Sequence, residues 1–156
     1  MPTDPFSDLR TLLSWEALAA ARGANNDDRA NAFFTPAFQR PYPPHWPLFQ
    51  AYQNLAYFPS PLPARDREMI ILATLLPLGV TGSALGAHVY MGLAAGAELD
   101  PMMACFLYVG EYAGVVRYLA ATGVTRQVLT LLQSRYDQKL SMTDTDVLGA
   151  ILATVK

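Results

Sequence analysis

The feature that most limits how this chain can fold is the segment over residues 69–80, MIILATLLPLGV, in which apolar side chains fill nearly every position. A segment with so little polar surface either crosses a membrane or is a helix packed on more than one side. It is about 12 residues long and contains Pro77, against the roughly 20 apolar residues a bilayer span requires. The reading is a buried helix. A second follows at once over 82–95, again apolar, with Gly96 as its stop signal. Two adjacent helices of this kind need covering elements, and a chain of 156 residues can bury roughly two thirds of its unfolded surface in one core.

The rest of the chain is punctuated for helices too. Asp4-Pro5 is a start signal and Gly23 a stop, which predicts a first helix over 5–22. Residues 23–31 are polar, and five prolines follow up to Pro47, which predicts a loop or wrapping arm. A helix is expected over 48–57, then an extended link imposed by Pro59, Pro61 and Pro63. Further on, Asp100-Pro101 caps a helix, Gly123 ends it or its successor, and Thr125 and Thr143 are N-caps for the last two. No segment alternates with period two, so the expected class is all-α without a sheet. The organisation is a single domain, 1–156, with N-terminal helices and a proline-rich arm over 1–62, a core over 63–122 and C-terminal helices over 123–156.

Composition narrows the partners. Hydrophobic residues make up 52% and charged residues 15% of the chain, a surplus of apolar surface that points to a subunit interface. The formal net charge of -2 lacks the basic excess a phosphate backbone attracts, so nucleic acid is not an expected ligand. No basic stretch followed by an apolar run opens the sequence, and the expected compartment is the cytoplasm, with no membrane partner. The one cysteine, Cys105, sits among Met102, Met103, Phe106 and Leu107, where a thiol behaves as a small hydrophobe.

Two polar residues interrupt apolar helix faces. With residues spaced 100° apart, Asp66, Arg67, Ile70 and Thr74 share one sector of the helix that begins near Ala64. Glu68 instead projects among Ile71, Leu72 and Leu75. Desolvation there favours the neutral acid unless a cation such as Arg65 or Arg117 lies beside it. On the next helix Leu85, Val89 and Leu93 form a core stripe, while His88 occupies a second face. Ala84 one turn before it and Gly92 one turn after leave room for a ligand or a neighbouring helix. His45, within PPHWP, is expected at the surface. The two histidines make no metal-ligand spacing, and no phosphate loop is present.

The order of these elements resembles the carboxymuconolactone decarboxylase family, within the alkylhydroperoxidase D-like superfamily. The resemblance spans about 46–121 and rests on three pieces. They are Leu62-Pro63-Ala64-Arg65-Asp66-Arg67-Glu68 running into Met69-Ile70-Ile71-Leu72-Ala73, then Ala87-His88-Val89 with Gly92-Leu93-Ala94-Ala95-Gly96, and lastly Glu111-Tyr112-Ala113-Gly114. It implies an all-helical domain built on a helical hairpin, assembled as a homotrimer or hexamer with sites near subunit contacts. It also implies that Glu68 and His88 are the functional pair. In the peroxidase branch a C-x-x-C pair precedes the histidine; those positions fall here on Thr81 and Ala84, so dithiol peroxidase chemistry is not expected. Val116 stands where many members have proline.

The implied activity is that of a decarboxylase or related lyase acting on a small unsaturated carboxylate or lactone. Arg65 or Arg117 would bind its carboxylate, Tyr112 would line the pocket, and Glu68 or His88 would transfer the proton. No cofactor is expected, because an unsaturated lactone carries its own electron sink. The alternative is a non-catalytic helical oligomer or small-molecule-binding protein that has kept the scaffold.

Overall fold

The computed structural model describes residues 6–24, 43–48, 51 and 61–156, and among these every regular element is helical. In chain order they are α1 (Ser7–Arg10), α2 (Trp15–Gly23), a 3-10 turn at Pro43–His45, α3 (Ala64–Leu75), α4 (Gly82–Ala94), α5 (Leu99–Ala113), α6 (Val115–Asp137) and α7 (Asp144–Thr154). The Asp4-Pro5 signal, most of the proline-rich arm and nearly all of the helix expected over 48–57 lie outside the described residues. His45 is exposed, as expected.

Helix α4 is the axis of the fold. Every residue over 85–94 is buried, because α3, α6, α7 and α2 all pack against it. Its end is a Schellman motif: Ala97 N–H donates to Gly92 O at 2.9 Å and Gly96 N–H to Leu93 O at 3.1 Å, with Gly96 at φ +98, a conformation that suits glycine. Arg22 of α2 adds a cap from outside, donating through Nε to Leu93 O and through its Nη2 to Ala97 O, both at 3.1 Å. On the α7 side, Gly86 lets the two helices approach; a Cβ there would lie 3.0 Å from Val155 Cγ1 and 3.3 Å from Ile151 Cγ2. One turn further on, the buried Tyr90 hydroxyl donates to the buried Asp144 carboxylate at the start of α7.

Three helix boundaries differ from expectation. The first helix is two helices, because Ser14 leaves the helical conformation. Its side chain caps α2 by accepting from Ala17 N–H at 3.2 Å, while its own N–H donates to Gln133 Oε1 on α6 at 2.8 Å. Helix α6 runs straight through Gly123 and Thr125, so the boundary drawn at 122/123 lies inside it. An interior glycine costs only about 1 kcal/mol relative to alanine. Burial of Val124, Val128, Leu129 and Leu132 outweighs that, and Thr125 caps nothing but donates to Ala121 O at 2.9 Å. Helix α5 begins at Leu99 rather than after Asp100, whose carboxylate takes two 2.7 Å hydrogen bonds from Arg10. Thr143 caps α7 as expected, accepting from Asp146 N–H at 3.4 Å.

Helices α5 and α6 meet at Gly114, which is both the end of one and the start of the other, at φ +101. Around this corner Tyr108, Tyr112, Val115, Val116 and Leu119 are exposed. The segment 69–80, expected to be a buried helix, is helical only as far as Leu75 and fully buries only Leu72 and Leu76; Ile70 and Leu78 are exposed, because neighbouring helices cover α3 on one side only among the described residues. None of the helices among the described residues is long and apolar enough to cross a membrane.

Candidate functional site

The seam between α3 and α4 is apolar except at one place. Glu68, on the second turn of α3, is 2% exposed, and His88, at the middle of α4, is 9% exposed. Glu68 Oε2 lies 2.9 Å from His88 Nδ1. The small residue expected to leave room beside the imidazole does so for the neighbouring helix. Gly92, one turn beyond His88, faces Glu68 Cβ, Leu72 and Met102, and a Cβ placed there would stand 3.6 Å from Glu68 Cβ and 3.1 Å from Met102 Cε. Glycine at this point makes room chiefly for Met102 of α5, while Glu68 Cβ and Leu72 stand at ordinary packing distances.

The cation beside Glu68 is neither of those proposed from the sequence. Arg67 Nε lies 3.6 Å from Glu68 Oε1, and the Arg67 side chain is largely buried. A helical wheel places Arg67 in the outward sector with Asp66 and Thr74, but its long side chain folds back onto the seam. Arg65 is exposed and donates from Nε to Asp66 Oδ1 at 3.0 Å. Arg117 is exposed on α6, and its guanidinium covers the backbone of Gly79, where a Cβ would collide with it. Tyr112 is almost wholly exposed on α5. The structure thus brings Glu68 and His88 together and leaves Arg65, Arg117 and Tyr112 on the surface. Tyr90 faces α7, and Tyr108 faces outward.

The geometry has a clear chemical consequence. A carboxylate in this position can accept from a protonated His88 Nδ1, the tautomer in which Nε2 carries the ring lone pair. When Nε2 takes up a proton, the imidazolium formed is held by the same carboxylate. Cys105 is half-buried, and burial pushes its thiol up, away from the thiolate a nucleophile requires. Thr81 and Ala84 lie at the start of α4, both exposed. Among the described residues, no group of three or more His, Cys, Asp or Glu side chains converges as a metal set. A cavity of about 440 Å³ at the end of α6 is lined by Tyr136, Asp137, Lys139, Leu140 and Met142, and so does not include the Glu68–His88 pair.

Comparison with curated proteins and with solved structures finds no match. The profile of the carboxymuconolactone decarboxylase family, however, matches residues 45–127, a stretch that holds α3, α4, α5, the first half of α6 and both members of the buried pair. On that match, which covers more than half of the sequence and agrees with an all-helical architecture, the chain belongs to the carboxymuconolactone decarboxylase family.

Proposed function

We propose that this protein is a cofactor-independent lyase of decarboxylase type, acting on a small unsaturated carboxylate or lactone, with His88 as the proton-transfer group and Glu68 as its partner. The observation that carries the reading is the 2.9 Å contact between a buried carboxylate and a nearly buried imidazole on a seam of otherwise apolar side chains. Polar groups buried at such a place are expensive to keep. In the proposed reaction the substrate carboxylate leaves as carbon dioxide, its bonding electrons pass into the unsaturated lactone, and a His88 imidazolium, its proton taken from water, gives that proton to carbon. Glu68 stabilises the imidazolium before that transfer.

A homo-oligomer is part of the proposal. The apolar corner at Gly114 has the composition of a subunit contact, with Tyr108, Tyr112, Val115, Val116 and Leu119 facing out. In this reading Arg65, Arg117 and Tyr112 contribute to carboxylate binding from the subunit surface, and trimer and hexamer are both compatible with it. The second reading, a non-catalytic binding or assembly protein, is favoured by the direct His88–Glu68 hydrogen bond, which satisfies both groups within the fold.

The two readings separate on Glu68→Gln and His88→Gln. As a site, both variants keep folding and assembly and lose conversion or binding when unsaturated lactones and small carboxylic acids are screened. As a structural pair, both lose about 1 to 3 kcal/mol of stability, and a parent that binds and converts nothing would leave the scaffold reading standing.

A further inference from the structure

The loop that joins α6 to α7 is fixed by its own hydrogen bonds. Helix α6 ends in a Schellman motif, with Leu140 N–H donating to Arg135 O at 2.9 Å and Lys139 N–H to Tyr136 O at 3.0 Å. Beyond it Arg135 Nε donates to Ser141 O at 3.1 Å, and the Thr143 hydroxyl donates to Asp146 at 2.7 Å. Glycine suits the left-handed position of such a motif, yet Lys139 holds it at φ +54, the one residue other than glycine with positive φ among the described residues. A lysine kept in a conformation that costs free energy points to a use for its side chain.

That side chain stands at the cavity of about 440 Å³, a size within the roughly 300 to 1,000 Å³ of small-molecule sites. The lining has one carboxylate, Asp137, one ammonium, Lys139, one phenol, Tyr136, and two apolar chains, Leu140 and Met142. Asp137 Oδ1 accepts from Gln133 at 2.8 Å, which leaves Oδ2 for another donor. The Lys139 ammonium and the Tyr136 hydroxyl are on exposed residues and meet no hydrogen-bonding or ionic partner among the described residues. Arg135 and Asp146 are used within the loop itself, so the cavity offers a ligand one charge of each sign.

This lining selects by charge. A simple anion would be drawn to Lys139 and repelled by Asp137, and a simple cation the reverse. A molecule with both charges close together meets both groups, and an apolar arm on it covers Leu140 and Met142. We infer that the cavity where α6 turns into α7 is a binding site for a small zwitterion with an apolar arm, the chemistry of a free apolar amino acid. The site is separate from Glu68 and His88 and does not depend on the reaction proposed for them.

The test follows the backbone amides of residues 135–143 in ¹⁵N-labelled full-length protein while L-leucine is titrated into the millimolar range. Saturable shifts confined to those amides are expected in the parent. N-acetyl-L-leucine and L-leucinamide, each lacking one of the two charges, are expected to bind about tenfold or more weakly, as is L-leucine to Asp137→Asn, which keeps an oxygen for Gln133. Lys139→Gly is expected to lose binding to the same degree while melting no lower than the parent, since glycine suits the backbone there. Lys139→Asn, which also tolerates positive φ but carries no charge, should lose binding with it. The inference is overturned if neither L-leucine nor L-phenylalanine gives saturable shifts, or if N-acetyl-L-leucine binds as well as L-leucine, so that Asp137 plays no part. It is equally overturned if Lys139→Asn binds like the parent, or if Lys139→Gly melts well below it, which would assign the lysine to the helix end.

Discussion

Helix α4 and the corner where α5 meets α6 both carry large apolar side chains, and the fold treats these in opposite ways. Residues 85–94 of α4 are buried on every side by other helices of the same chain, whereas Tyr112 is 93% and Val116 73% exposed at the corner. Hydrophobicity alone therefore does not say where a segment ends up. Position does: α4 packs against four helices, whereas among the described residues the corner at Gly114 leaves its large apolar side chains exposed. The first is settled within one chain; the second is the surface that the proposed oligomer would cover.

The sharpest way to break this contrast is a matched pair of leucine substitutions. Leu85→Ala, in the core, is expected to cost about 2 to 5 kcal/mol in denaturant unfolding at any protein concentration. Leu119→Lys, at the corner, is expected to leave the chain folded but to lower the assembly state seen by light scattering. A Leu119→Lys chain that assembles like the parent would remove the corner from the interface.

Next in size is the polar tie on the far side of α4. Tyr90→Phe strips the buried Asp144 carboxylate of its tyrosine donor and should cost about 1 to 3 kcal/mol, visible as a lower melting temperature. A loss within error would mean that the packing at Gly86 and the Gln127–Lys156 hydrogen bonds hold α7 without help from this tyrosine.

Two glycines give a comparison with opposite signs. Gly110→Ala would place a Cβ 2.7 Å from Tyr118 Cβ, so α5 and α6 must separate, at a cost of about 1 to 3 kcal/mol. Gly123→Ala meets nothing within 4 Å, lies inside a helix and is exposed, and should stabilise the chain by about 0.5 to 1 kcal/mol. Thermal melts of both against the parent decide it.

The smallest effect is electrostatic. The Ser141 hydroxyl, and then that of Thr143, hold the exposed Asp146 carboxyl below its ordinary value of 3.8. A lowered folded-state value means the contribution is present above about pH 3.8 and is lost as pH falls through the lower folded value. Asp146→Asn should therefore flatten the acid limb of the stability curve slightly, and an unchanged limb below pH 4 would count against it.

Gly96 and Gly123 show what was legible in the sequence. Gly96 after an apolar run is a stop that the backbone obeys, because positive φ is required there. Gly123 has the same identity and is not a stop, because residues after it have core to enter. Local signals named the start of α3, the end of α4 and the cap of α7, where nothing distant competes, but not the end of α3, which comes at Leu75 and not beyond Pro77. They missed the break before Ser14, which depends on Gln133, over a hundred positions away. At the site, one-dimensional periodicity put Glu68 on the inner face correctly and His88 on a face open to a neighbouring helix. It could not find Arg67, since a helical wheel gives the direction of Cβ and not the path of a long side chain. Arg65, Arg117 and Tyr112 suit carboxylate binding by their chemistry, which says nothing about exposure.

The separation in sequence between bonded partners also has a consequence in time. Glu68 and His88 are 20 residues apart, within one helical hairpin. The N-terminal helices, in contrast, close contacts over 71 residues from Arg22 to Leu93, 90 from Arg10 to Asp100 and 119 from Ser14 to Gln133. Short loops close at lower entropic cost than long ones. The hairpin that carries the pair is thus expected to be in place before α1 and α2 dock, and hydrogen exchange should find those two helices opening while the amides around His88 remain protected.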